Sequence, residues 1–262
     1  LFSIPLNAFH RIVNASSSPA LILVGTSAPN AMNLYDDNDF IFNSSYIFKK
    51  RYDGREDYFR PDENILPDPV RGLAQRRTNL IPDIINCDLP LDNRRSPGYR
   101  RIEPDMSGNR FYIFVGQHET GRYSKAHFHG SAAVLICLTG KGYTYTWPKE
   151  LGTRPWENGQ GDQVRRVDYE PFGLVSAAPM SGDWFHQHFG YSKDPLRLIA
   201  WMGPNNALSR KPRVPGEKRL DLGAIDMRAG GNAIPYDQED PFIRKEYEEK
   251  RSEEHTSELQ SH

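Results

Sequence analysis

The residues best placed to do chemistry are His127 and His129, inside GRYSKAHFHGSAAVLICLTGKG, residues Gly121–Gly142. In an extended strand, residues i and i+2 face the same way. Two imidazoles so aimed are what a first-row metal ion takes as ligands. The elements that must position them read as a hairpin. One strand carries the two histidines, the apolar run Val134–Leu138 packs behind it, and a Thr-Gly-Lys-Gly turn follows.

The same stretch resembles the first motif of the cupin superfamily, G-x5-H-x-H-x3-E-x6-G. Gly121, His127, His129 and Gly140 stand in register with it, and Ala133 occupies the position of the family's glutamate. The second cupin motif, P-x-G-x2-H-x3-N, is similar to SGDWFHQHFG, Ser181–Gly190. There His186 aligns as the third ligand, with Ser181, Asp183 and Gly190 in the proline, glycine and asparagine positions.

The resemblance implies an all-β fold, the cupin double-stranded β-helix, which is a jelly-roll-like barrel. It implies one divalent metal ion held by His127, His129 and His186, with positions open for water, substrate or dioxygen. Fe(II) heads the expectation, with Mn, Zn or Ni as other occupants. With Ala133 in place of a carboxylate the ligand set is neutral. The metal then keeps more of its charge and favours an anionic substrate.

Among two-barrel cupins the chain looks nearest to the gentisate dioxygenase-like group, which opens hydroxylated aromatic carboxylates with Fe(II) and dioxygen. The expectation is therefore an Fe(II)-dependent dioxygenase acting on a small, aromatic carboxylate. Alternatives are a non-catalytic cupin holding a metal or small ligand, and a metal-dependent lyase or isomerase.

Candidate catalytic residues are His188, two residues beyond His186, and Tyr145. His188 is either an acid–base group beside the metal or a histidine satisfied in the core. Tyr145 belongs with Tyr123, Tyr143, Trp147, Trp184 and Trp201 to a candidate aromatic wall, although such residues are more often core. His118 is expected near the barrel mouth in a surface role, and Lys125 either points inward to meet a carboxylate or is solvated. Arg76-Arg77 and Arg94-Arg95 read as solvated or ion-paired clusters.

Along the chain, residues 1–30 resemble the last strands of a first barrel, because PLNAFHRIVN fits the second motif with His10 in the ligand position. An apolar run, Ala20–Gly25, follows there, with a turn at Ser27–Asn30. Residues 31–105 read as a connection, polar but dotted with aromatics, that packs along barrel surfaces. Short helical pieces are expected near 53–59 and 69–75. Residues 106–206 read as a complete barrel. Its strands are expected at 110–116, 134–138, 142–147, 164–169, 173–177, 183–189 and 196–201, with an excursion over 148–163. Residues 207–250 form a tail punctuated by Pro212, Pro215 and Gly216. Within it DPFIRKEYEEK, from Asp240, opens like a helix. Residues 251–262, RSEEHTSELQSH, look like a translated sequencing-library adapter and are expected to be foreign to the protein.

Composition narrows the classes. The 262 residues carry a formal net charge of −1, or about +1 without residues 251–262. Neither value gives an electrostatic footprint for nucleic acid or membrane. No run of 18 apolar residues suggests a membrane helix. Two lone cysteines, Cys87 and Cys137, suggest a reduced, cytoplasmic setting. The expected partner is a small-molecule substrate, in a protein that forms homo-oligomers.

Overall fold

The computed structural model describes the chain except residues 50–51, 53, 69, 107–110, 131, 179–181, 203–213 and 261–262. Ser181 and Pro212, singled out above, therefore lie outside the described residues, as do the starts of the pieces expected near 53–59 and 69–75, the start of the strand expected at 110–116, and the end of 251–262.

Among the described residues, ten strands build two sheets. They are β1 (Ile65–Pro67), β2 (Ala74–Arg77), β3 (Arg100–Asp105), β4 (Tyr112–Gln117), β5 (Ala133–Thr139), β6 (Gly142–Pro148), β7 (Arg165–Tyr169), β8 (Leu174–Ala178), β9 (Trp184–Gly190) and β10 (Arg197–Met202). The large sheet runs β1-β2-β3-β4-β10-β5-β8 and the small one β7-β6-β9. Pairing is antiparallel apart from β2 with β3. Three of the seven strands of the large sheet come from before residue 106. Among the described residues no helix is long and apolar enough to cross a membrane.

The strands alternate strictly, and each of the faces has a cover. On the large sheet Phe114, Leu135, Leu198 and Ala200 turn toward the small sheet. Ile113, Val115, Ile136 and Ile199 turn the other way, under Ile81, Leu89 and Met106. This two-sided burial is why β5 reads as an unbroken apolar run rather than an alternating one. On the small sheet Tyr143, Tyr145 and Trp147 of β6 join Phe185 and Phe189 of β9 in an outer aromatic layer.

Helix α3, following α1 (Ala28–Tyr35) and α2 (Asn38–Phe42), spans Pro241–Gln260 and covers that layer with Ile243 and Tyr247. Asp240, fully buried, caps α3 by accepting from the Phe242 amide at 3.0 Å. Its second oxygen accepts from the amides of Trp156 (2.8 Å) and Glu157 (3.0 Å), which ties down the 148–163 excursion. The helix runs on through residue 260, with Arg251–Ser257 largely exposed.

Several expectations are corrected. The His127 segment does not form a hairpin with β5. It lies along β9, through bridges Tyr123↔Phe189 and His127↔His186, while β5 crosses to the large sheet. Ser27–Asn30 opens α1 instead of a free turn. The piece near 69–75 is not helical, since β2 begins at Ala74 and pairs with β3. The aromatics of the connection do not all pack. Tyr58 is buried, but Tyr35, Phe40 and Phe42 are exposed, because α1 and α2 bury no residue, and Tyr46 and Phe48 beyond α2 are exposed too. The run Leu21–Val24 is likewise exposed. Both cysteines are free thiols, with Cys137 in the core.

The β5–β6 turn depends on Gly140. Its φ of +81° is a conformation that side chains disfavour. A Cβ there would also lie 2.8 Å from the Leu196 Cα and the Pro195 carbonyl oxygen, where backbone cannot give way. Gly140→Ala is expected to cost about 2 kcal/mol or more in urea unfolding. A loss below about 0.5 kcal/mol would show that the turn is not so confined.

Candidate metal centre

The two-residue rule alone would not bring His127 inward. His127 lies four positions after Tyr123, but their partners Phe189 and His186 are only three positions apart. One extra residue therefore sits in the His127 segment, a β-bulge that resets which side faces in. Before it, Tyr123 packs outward on Phe189 and Tyr247, and Ser124 faces the cavity. After it, Ala126 and Phe128 pack outward while His127 and His129 turn in. The displaced residue is Lys125. Its ammonium does meet a carboxylate, Asp226 at 2.5 Å, but does so outside the cavity rather than inside it.

His186 and His188 sit on the inner face of β9, opposite Thr146 and Thr144. The ligand nitrogens of His127, His129 and His186 all lie within 4.8 Å of one another. Ring centroids are 4.3 Å apart for His127–His186 and 4.6 Å for His129–His186. His127 Nδ1 lies 3.0 Å from the Lys125 carbonyl and donates to it, so Nε2 is the ligand nitrogen, and an ion bound there would displace the Arg95 guanidinium that it now accepts from. His186 Nδ1 is buried with no hydrogen-bond partner, an orphaned atom of the kind a coordinated ion would satisfy.

Burial holds His127 and His186 well below the usual imidazole range. Arg95 acts next on His127 and the His127 ring next on His186. Neutral imidazoles are the form that binds metal. The donor set thus fits one divalent ion.

Ala133 does face this cavity, with a methyl group where the family carries its glutamate. No Asp or Glu is among the residues that line the cavity. The charged group present is Arg95, on the loop before β3. Its Nη1 lies 2.5 Å from His127 Nε2. Its neighbour Arg94 is ion-paired with Asp92 at 2.7 Å as expected, so the two arginines have opposite roles.

His188 lines the cavity, its Nδ1 2.8 Å from the Tyr169 hydroxyl. The expectation for Tyr145 is corrected. It sits on the opposite face of β6, its hydroxyl bonded to Glu246 of α3, and does not line the cavity. Nor do Tyr123, Tyr143, Trp147, Trp184 or Trp201; the aromatic rings in the wall are Tyr99 and Phe114. His118 is corrected as well. It is buried at 3% exposure and faces the cavity rather than solvent. Its position was readable, since 114, 116 and 118 share one side of β4. Arg95 gave no such signal, because loops carry no periodicity.

Burial pushes His118 down to about 3 from 6.5. Between those values the unfolded chain binds a proton that the folded chain does not, so stability falls as pH falls through that window. His118→Gln removes this group. Its urea-unfolding stability is expected to decline less steeply than wild type, by about 1 kcal/mol per pH unit between roughly pH 6 and 4. Identical slopes would show that His118 titrates alike in both states.

No known family's sequence profile matches the chain, and no curated protein matches it. Solved structures do overlap with it. A cupin-2 domain protein from Rhodospirillum rubrum shares 16% identity at a TM-score of 0.30, over 40% of this chain and 59% of that one. A cupin 2 conserved barrel domain protein from Salinispora arenicola shares 17% at 0.34, over 50% and 93%. An oxalate decarboxylase variant from Bacillus subtilis shares 12% at 0.33, over 43% and 28%. The chain thus spans well under two thirds of the Rhodospirillum and Bacillus proteins. Its own strand order gives it a β fold of two sheets that do not close, and its site geometry a candidate three-histidine metal site.

Proposed function

We propose that this chain is a metal-binding cupin working as a mononuclear Fe(II)-dependent dioxygenase on a small carboxylate. The observation that carries the reading is a cavity with three convergent neutral imidazoles, one guanidinium and no carboxylate. A divalent ion held by His127, His129 and His186 would supply a Lewis-acidic centre and, as iron, a redox-active one.

The protein's own groups do the rest. Arg95 brings a cation to a cavity wall that holds no carboxylate, with the Asp221 carboxylate, outside that wall, in its field, and a guanidinium facing a partly buried space favours an anion. Its guanidinium, set beside His127, is placed to hold a substrate carboxylate. His188, steadied by Tyr169, presents an imidazole to the same space. The apolar wall of Leu135, Leu198 and Ala200 keeps bulk water out.

The cavity holds about 30 Å³, enough for a water or two but not for an aromatic ring. An aromatic acid therefore needs the Arg95 loop to swing aside. The same tightness favours the second reading, a binding module for a metal with a very small ligand. The exposed apolar side chains of the first 48 residues support a homo-oligomer.

Metal analysis of the purified chain is expected to give close to one divalent ion. His127→Ala and His186→Ala should lose it, while Tyr145→Phe retains it; metal content indifferent to both alanines would refute the centre. In an oxygen electrode after anaerobic Fe(II) loading, a panel of small and aromatic carboxylates is expected to include one that drives uptake. Arg95→Leu should weaken that substrate by roughly tenfold or more. Absence of uptake with every acid in the panel would leave the binding-module reading.

A further inference from the structure

The arginine beside the metal ligands and the ion claim the same lone pair. His127 Nδ1 donates to the Lys125 carbonyl, so Nε2 carries the ring's free lone pair. Arg95 Nη1 donates to that atom at 2.5 Å. A guanidinium and an ion cannot both hold it, and a positive charge at this spot also repels a cation. An ion that enters must therefore send Arg95 elsewhere. Arg95 Nε is buried with no hydrogen-bond partner among the described residues, so that edge of the guanidinium is not locked in place.

The carboxylate of Asp221, in the stretch that composition marks as a tail, is the place within reach. Arg95 Nη2 and Asp221 Oδ1 lie 3.7 and 3.8 Å from the point where a Cβ on residue 223 would stand. Residue 223 is glycine, so it puts no side chain into the gap between them. Asp221 opens the short turn Leu222–Ala224 without capping it, which leaves its carboxylate to other partners. Its Oδ2 lies 3.6 Å from Arg101 Nη1, and Arg101 is buried and fixed by Glu103 at 2.7 Å. Burial works to raise the Asp221 pKa, but Arg95 and then Arg101 outweigh it and hold the carboxyl below the usual carboxylate range. The segment is stitched to the metal-ligand strand. Leu222 O accepts from the Asn232 amide at 2.8 Å, Asn232 O accepts from the Phe128 amide at 3.3 Å, and Ala233 bridges to His127.

We propose that Arg95 is a built-in competitor of the metal ion: it occupies His127 Nε2 until an ion enters, then swings past Gly223 to pair with Asp221. Asp221 is thus a positioning residue that acts on the site through Arg95. A guanidinium has five N–H donors, so pairing with Asp221 leaves an edge for a substrate anion. The inference rests on the three-histidine centre proposed above.

The test is titration of the metal-free full chain with Co(II) against a competing chelator, read by the visible bands of the bound ion. Arg95→Leu is expected to bind Co(II) about tenfold or more tighter than wild type, the value of one charge-assisted hydrogen bond that no longer has to be displaced. Arg95→Met is the second variant, for the case in which the leucine chain does not fold. Asp221→Asn is expected to bind about tenfold weaker, because the displaced guanidinium loses its charged partner. In the Arg95→Leu background, Asp221→Asn should change the affinity by less than about threefold, since no arginine is left to receive. Equal affinity in wild type and in the Arg95 variants overturns the competition and leaves the metal centre standing. An Asp221→Asn loss equally large in both backgrounds reports only the field of the carboxylate on the ion and overturns the handover. Co(II) bound by none of the chains refutes the three-histidine centre itself, and the handover with it.

Discussion

Side-chain alternation across β9 is the constraint on which the rest of the structure depends. Phe185, Gln187 and Phe189 face one way and His186 and His188 the other, because successive residues of a strand cannot share a face. The aromatic side is sealed by β6 and by α3, so the imidazole side is forced toward the large sheet. The bulge at Lys125 brings the neighbouring segment into the same scheme. Without the extra residue, an outward Tyr123 would require an outward His127. One displaced lysine, held outside by Asp226, therefore decides whether the imidazoles meet.

Sealing both outer faces has an electrostatic consequence. Four histidines, 118, 127, 186 and 188, are buried in a space of about 30 Å³ and are held neutral by desolvation. Neutral rings retain lone pairs, which makes the cavity a ligand set instead of a cluster of repelling cations. Arg95 then provides the cavity's fixed positive charge; the Asp221 carboxylate lies in its field, and Ala133 adds no carboxylate inside the cavity. The absent glutamate and the inserted arginine act in the same direction, toward an anion. The segments that look peripheral by composition perform this sealing. The connection lays Ile81 and Leu89 over the large sheet, and the tail lays Ile243 and Tyr247 over the small one.

Much of this was legible in the chain. Short apolar runs between Gly and Pro turns located the strands from β4 to β10 to within a residue or two, since a strand buried on both faces has a compositional signature that needs no partner. The Thr/aromatic alternation of β6 showed two faces but not which was inside. Tyr145 was misplaced for that reason, because a period fixes the split between faces and is silent on their direction. His118 was misread as exposed although it shares its side with Phe114 and Gly116.

The sequence by itself determined the strands from β4 to β10, the shared direction of His127 and His129 two residues apart in extended chain, and the loss of a carboxylate at Ala133. These are consequences of local spacing and residue identity, which hold before any folding. Only the tertiary structure decided that the His127 segment joins β9 rather than β5, that a bulge at Lys125 turns it inward, and that Arg95 reaches His127 from a loop 32 residues earlier. Each of these is a contact between distant parts of the chain. No periodicity encodes such a contact, because it arises from how sheets and their covers close over one another.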